Sequence, residues 1–194
     1  MDLIFIHGHP AVGKRTIAHR LADFLPARVL ENHDSIDLAK TVLDFGAPGF
    51  WNLVGELRIS LLRAAARSEN AFIVTTACYV HPEDLPVLTE WESVLAKEKG
   101  SLVPVYLHCA TELLFERVSA PDRLARGKLT SHEGLQSHLD RNDYCAVPRP
   151  DVISIDTGAH APADAAELIR SQILKRASTP NGTAAGGSRI LTET

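Results

Sequence analysis

The sequence predicts an α/β fold in which a five-stranded parallel sheet is sandwiched by helices within a single domain. Three observations carry that prediction. Short apolar, β-branched runs alternate with stretches of helical periodicity, so crossover helices join successive strands, as parallel pairing requires. The first run, residues 3–6, leads straight into the glycine-bearing stretch GHPAVGKRT, residues 8–16, and then into a helical pattern. A chain of 194 residues has the length of one domain and buries roughly 70% of its unfolded surface, enough for a core without disulfide staples.

The elements follow in order. After the strand at 3–6, Ile17, Ala18, Leu21 and Phe24 recur at helical spacing over 15–24. A weaker strand signal covers 28–30, and residues 31–49 carry none, which marks an excursion above the sheet. Phe50, Leu53, Val54, Leu57, Leu61 and Ala64 form the next apolar stripe. Strands at 71–76 and 102–108 then alternate with helices at 83–97 and 111–118. A second excursion at 119–131 precedes a helix at 132–141, a last strand at 152–155 and a helix at 162–175. The remainder, ASTPNGTAAGGSRILTET, lacks periodicity and is rich in Ser, Thr, Gly, Ala and Pro. The folded domain is therefore expected over 1–176, with 177–194 a disordered tail.

Composition narrows the partners. The formal net charge of -4 and the absence of a long basic run argue against a nucleic acid held by general electrostatics. Cys78, Cys109 and Cys145 are odd in number and lack disulfide or zinc spacing, which fits a reducing compartment. With no basic leader and no run of about 20 apolar residues, the expectation is a cytoplasmic protein without a membrane partner.

The stretch at 8–16 matches G-x-x-x-x-G-K-[ST] everywhere except at Arg15. A strand, a glycine turn and a helix start aim several backbone N–H groups and a positive helix end at one point, which suits phosphate. Gly8, His9, Pro10, Ala11, Val12 and Gly13 would form that cradle, with Lys14 as the charge on the β and γ phosphates. A plain glycine turn is the alternative. No guanine-reading N-K-x-D occurs, and AFIVTTACY ends without the acidic residues of motor ATPases. Transfer to an acceptor is thus the more natural chemistry.

The ending GKRT resembles the G-K-x-T of the adenylate-kinase-like group of small-molecule and nucleotide kinases. That resemblance implies a single-domain P-loop NTPase fold binding ATP, with Thr16 on the phosphates and Arg15 in the loop but pointing elsewhere. It implies Mg²⁺ held by phosphates and water, with Thr16 or Asp34 as candidate protein ligands.

ERVSAPDRLARGKLTS, residues 116–131, gathers Arg117, Arg123, Arg126 and Lys128 around Pro121 and Gly127. Its place in the chain is similar to that of the family's lid, here about 119–131, whose arginines close over the transferring phosphate. The resemblance assigns Arg117, Arg123 and Arg126 to stabilising transfer, with Arg117 also on the nucleotide. A solvated basic helix face is the other reading. VISIDTGAHAPADAAELI looks like the family's loop under the adenine ring, which implies backbone contacts from Thr157, Gly158 and Ala159.

On the acceptor side, HDSID within ENHDSIDLAK is similar to the aspartate segment of the chloramphenicol phosphotransferases, which makes Asp34 the general base. Asp34 is equally suited to cap a helix with Asp37 in its first turn. His33 and Asp37 are further candidates for acceptor contact. Phe50 and Trp51 either wall a pocket or cover the core, and Arg58 would meet an anionic group. Thr76 and Tyr79 stand at and after the end of the strand at 71–76, where a doubly wound sheet binds ligands.

These resemblances imply an ATP- and Mg²⁺-dependent phosphotransferase acting on a hydroxyl of a small molecule, a metabolite or an antibiotic, as monomer or homodimer. Two alternatives stay open. The tunicamycin-resistance proteins share a similar loop and chain order, which suggests a nucleotide-dependent protein that sequesters a small molecule without transfer. A nucleoside or nucleotide kinase is the other, though that group's nucleoside-monophosphate pocket pattern of several arginines between the second and third strands is lacking.

Overall fold

The computed structural model describes residues 1–125 and 127–178. Its elements in chain order are β1 (Asp2–Gly8), α1 (Lys14–Phe24), β2 (Ala27–Leu30), α2 (Asn32–Ala39), α3 (Phe50–Ala66), β3 (Phe72–Ala77), α4 (Leu85–Lys97), β4 (Ser101–His108), α5 (Thr111–Val118), α6 (Pro121–Leu124), α7 (His132–Arg141), β5 (Ile153–Asp156) and α8 (Pro162–Ser178). The strands form one sheet in the order β2-β3-β1-β4-β5. All four pairings are parallel, so every strand ends at the same edge.

β1 lies at the centre because both its faces are apolar. Ile4 and Ile6 pack with Ile17 and Leu21 of α1 and with Ala166 and Ile169 of α8. Leu3 and Phe5 pack on the other face with Ile59 and Leu62 of α3 and Leu88, Trp91 and Leu95 of α4. Each such fully buried side chain contributes about 1.5–3 kcal/mol. Two helical layers thus cover a single sheet, as the alternating sequence predicts.

The excursions hold more structure than expected. Residues 31–49 contain α2, and Ile36 and Ala39 on its apolar side close a small core with Phe50 and Val54 of α3. Residues 119–131 contain α6, which starts at Pro121. The helix expected from residue 83 starts at Leu85, since the Asp84 carboxylate accepts the Val80 amide at 2.8 Å and holds the preceding turn. α8 continues to Ser178, past the expected boundary at 176, and the rest of the predicted tail falls outside the described residues. Among the described residues, no helix is long and apolar enough to cross a membrane.

Candidate functional site

β1 delivers the chain into the phosphate loop at Gly8, whose φ of 136° and close packing admit only glycine. A Cβ there would stand 2.2 Å from the Leu107 carbonyl oxygen of β4. The loop then turns through Ala11 at φ 65° and Gly13 at φ 100° before α1 begins at Lys14. The start of α1 has no side-chain cap and no acidic residue in its first turn. Its amides and its positive end are therefore left for an anion.

Lys14 spans the mouth of this loop. Its ammonium donates to the carbonyls of Gly8 and His9, both at 2.7 Å, and to Cys78 Sγ at 3.1 Å. Arg15, in the place of the usual hydroxyl residue, turns away toward the end of β2. Its Nε donates to both Glu31 carboxylate oxygens at 2.8 and 2.7 Å, and His19 Nε2 lies 2.8 Å from the same carboxylate. Burial alone would raise the Glu31 carboxyl, but these hydrogen bonds and the charges behind them hold it below its ordinary range.

Above the loop opens a cleft of about 590 Å³, within the ~300–1,000 Å³ usual for small-molecule sites. Lys14, Arg15, Lys40, Arg117, Arg123 and Lys128 all line it. Glu31 is the only carboxylate among the described residues that do so, and Arg15 already pairs with it while His19 Nε2 lies within hydrogen-bond distance. The cleft therefore presents a strong positive field to an entering polyanion.

Several predicted nucleotide contacts meet here. The walls include the loop from Pro10 to Thr16, while Gly8 and His9 lie beneath and lend Lys14 their carbonyls. Arg117 of α5 donates to Thr157 Oγ1 at 3.0 Å and to the Thr157 carbonyl at 2.9 Å, and both residues line the cleft. Gly158 and Ala159 do not: they are exposed on the turn after β5, where the Gly158 amide is spent on the Asp156 carboxylate. His160 and Pro162 reach the cleft instead. In the predicted lid, Arg123 lines the cleft and donates to the Leu129 carbonyl at 3.0 and 2.9 Å. Arg126 lies outside the described residues.

On the acceptor side, His33, Trp51 and Thr76 line the cleft, and the other candidates do not. Asp34 is exposed, and its carboxylate accepts the Glu31 amide at 2.8 Å, closing a capping box on α2 in which Glu31 rather than Asp34 is the N-cap. Asp37 is also exposed and pairs with Lys40 at 3.1 Å. Phe50 belongs to the α2–α3 core, because one helical step of about 100° separates it from Trp51. Tyr79 is buried under the sheet end beside Phe5 and His7, with its hydroxyl 2.9 Å from His81 Nδ1. Arg58 lies beneath α2, donating to Ser35 Oγ at 2.9 Å and Asn32 Oδ1 at 2.7 Å beside a void of about 10 Å³. It secures α2 and does not reach the cleft.

The sequence reading missed Lys40, Cys78, His138 and Tyr144, which all line the cleft. Lys40 was legible in principle, since His33, Ile36 and Lys40 stand at i, i+3 and i+7 along the α2 segment. Cys78 and Tyr144 come from loops far apart in the chain, and no local pattern marks them.

No protein-family model matches the chain, and no curated protein matches it in sequence. Solved structures do. A sugar kinase from Janibacter sp. is 19% identical with a TM-score of 0.60, over 89% of this chain and 94% of that one. The tunicamycin resistance protein of Deinococcus radiodurans is 20% identical with a TM-score of 0.60, over 89% and 96%. A gluconokinase from Sinorhizobium meliloti is 14% identical with a TM-score of 0.58, over 91% and 93%. These matches span nearly the whole of each chain and establish a shared fold.

Proposed function

We propose, for a chain with the fold of the P-loop kinases of the adenylate-kinase-like group, an ATP-dependent phosphotransferase that moves the γ-phosphoryl group onto a hydroxyl of a small molecule. One observation carries the reading: the uncapped, acid-free start of α1 and the ammonium of Lys14 form the floor of a cleft whose single carboxylate among the described residues is already paired. A triphosphate is the ligand that rewards such an arrangement.

In this reading Lys14 exchanges the Gly8 and His9 carbonyls for phosphate oxygens, and the loop amides take the rest of the β-phosphate. Arg117, fixed by Thr157, and Arg123 neutralise charge on the phosphoryl group in flight. Folding of residues 119–131 over the site would exclude water. The donor set suits Mg²⁺ carried by the nucleotide, since Thr16 and Thr76 line the cleft and the one carboxylate among the described residues there is ion-paired. When bound, the ion would supply charge neutralisation for the phosphates. The acceptor lies against Trp51, Phe45, Ile36 and Lys40, a wall suited to a small organic molecule.

The test follows labelled γ-phosphate from ATP across nucleosides, sugars, hydroxy acids and hydroxyl-bearing antibiotics, with Lys14→Ala as the blank. A labelled acceptor made only by the unmutated chain is the expected result. ATP binding with label on no acceptor favours a sequestering protein instead. Asp34 lying outside the cleft gives that second reading its structural support, because the expected carboxylate base is then missing.

A further inference from the structure

Resting on the phosphotransferase reading, we infer that His33 is the general base, taking the proton of the acceptor hydroxyl from the start of α2. The three carboxylates near the acceptor side are committed elsewhere, Asp37 to Lys40 on the exposed side of α2. Asp34 caps α2 from its exposed side, and Glu31 is held by Arg15 and His19 while its side chain accepts the Asp34 amide. His33 lies between them in sequence, half-buried, and lines the cleft with Ile36 and Lys40. Its imidazole makes no hydrogen bond among the described residues, and Nδ1 is sealed from solvent without a partner. The ring therefore spends no hydrogen bond on the protein, and Nε2, which is not among the sealed atoms, is the nitrogen left for a ligand.

The other imidazoles of the cleft are placed differently. His138 Nδ1 meets the Tyr144 hydroxyl at 3.1 Å. His160 follows the Thr157 turn, on the side assigned to the nucleotide. Tyr144 itself is no base, since burial pushes its phenol up to about 12. The surroundings of His33 also favour the form that accepts a proton. Burial, then Lys128 of the lid segment and Lys40 of α2, lower its pKa against the opposing pull of Asp37 and Glu31. A neutral imidazole at pH 7 results.

The step balances without another reactant. The acceptor oxygen attacks the γ-phosphorus, its proton passes to the imidazole, and the bond from the γ-phosphorus to the β–γ bridging oxygen breaks. The electron pair of that bond leaves with ADP, and the imidazolium then returns its proton to solvent.

The probes are γ-labelled ATP with water as acceptor, which needs no knowledge of the natural hydroxyl, and with each hydroxyl compound that the panel labels. His33→Gln is expected to lower kcat by about 10²-fold, the low end for a positioned base, with the affinity for ATP unchanged. The acid limb of the unmutated kcat/KM profile, below pH 6.5, disappears in that variant. His33→Asp restores part of kcat and moves the limb into the carboxylate range, and its ATP affinity confirms an intact fold. Asp34→Asn keeps kcat within a few-fold while losing stability through the cap. Unchanged kcat in His33→Gln, or an equal loss in Asp34→Asn, overturns the assignment. Transfer by the unmutated chain alongside such a result removes the base alone, whereas no transfer by the unmutated chain removes the kinase reading and the base together.

Discussion

Replacing Gly8 by alanine strikes the joint between sheet and loop. The new Cβ would lie 2.2 Å from the Leu107 carbonyl oxygen and 3.2 Å from its carbon, and both are backbone atoms that no rotamer change moves. Gly8 and Leu107 face each other in the β1–β4 register, so relief requires the two central strands to part at their ends. Losing one or two ladder hydrogen bonds costs about 1 kcal/mol each. Holding alanine at φ 136° adds about 1–3 kcal/mol. Together these come to about 2–5 kcal/mol, a large share of the ~5–15 kcal/mol typical of a domain. Gly13→Ala is the control: its φ is 100° but a Cβ meets nothing within 4 Å, leaving strain of about 1–3 kcal/mol alone. Urea unfolding of both variants reads the difference as a larger fall in midpoint for Gly8→Ala at constant m-value. Equal midpoints for the two variants would refute the contact argument.

Two further outcomes follow from buried polar groups. His7 is fully buried, both ring nitrogens lack a partner, and burial followed by the charge of Lys14 lowers its pKa to about 3. The folded state thus keeps His7 neutral where the unfolded chain protonates it. Its contribution to stability is full above pH 6.5 and falls on acidification toward pH 3, by up to about 1.4 kcal/mol per pH unit. His7→Phe, which keeps the stacking on Phe5, should flatten that limb in urea titrations at successive pH values, and an unchanged limb would show that other groups cause it. Arg117→Ala removes both bonds to Thr157 and should raise the KM for ATP about tenfold, with a stability loss of about 1–3 kcal/mol. An unchanged KM would place the nucleotide elsewhere.

The sheet was legible because parallel strands buried on both faces read as continuous apolar runs, as at 3–6 and 102–108. The loop was legible because Gly8 and Gly13 stand where only a tight backbone path needs them, with Lys14 at fixed spacing. α2 was not, since its polar segment NHDSIDLA hides only a narrow apolar edge, and its cap uses Glu31 and Asp34 in place of a hydroxyl residue. That miss spread through the acceptor side. The sequence offered Asp34 as a cap or as a base without deciding between them, and nothing indicated that Glu31 would be the N-cap with Asp34 closing the box, or that Arg58 would brace the helix from beneath. Phe50 and Trp51 were inseparable for a related reason: one residue of helical rotation sends one into the core and the other to the cleft. Tyr79 follows a strand end in sequence, yet packing against Phe5 and His7 draws it below the sheet edge.

The central claim is that the loop at the end of β1 holds the phosphates of a nucleotide through Lys14. Calorimetric titration of ATP and of adenosine into the unmutated chain and into Lys14→Ala tests it directly. Losing a charge-assisted contact of about 2–3 kcal/mol predicts ATP binding weaker by roughly 30- to 150-fold, with adenosine binding unchanged. Equal ATP affinity in the two proteins would contradict the account.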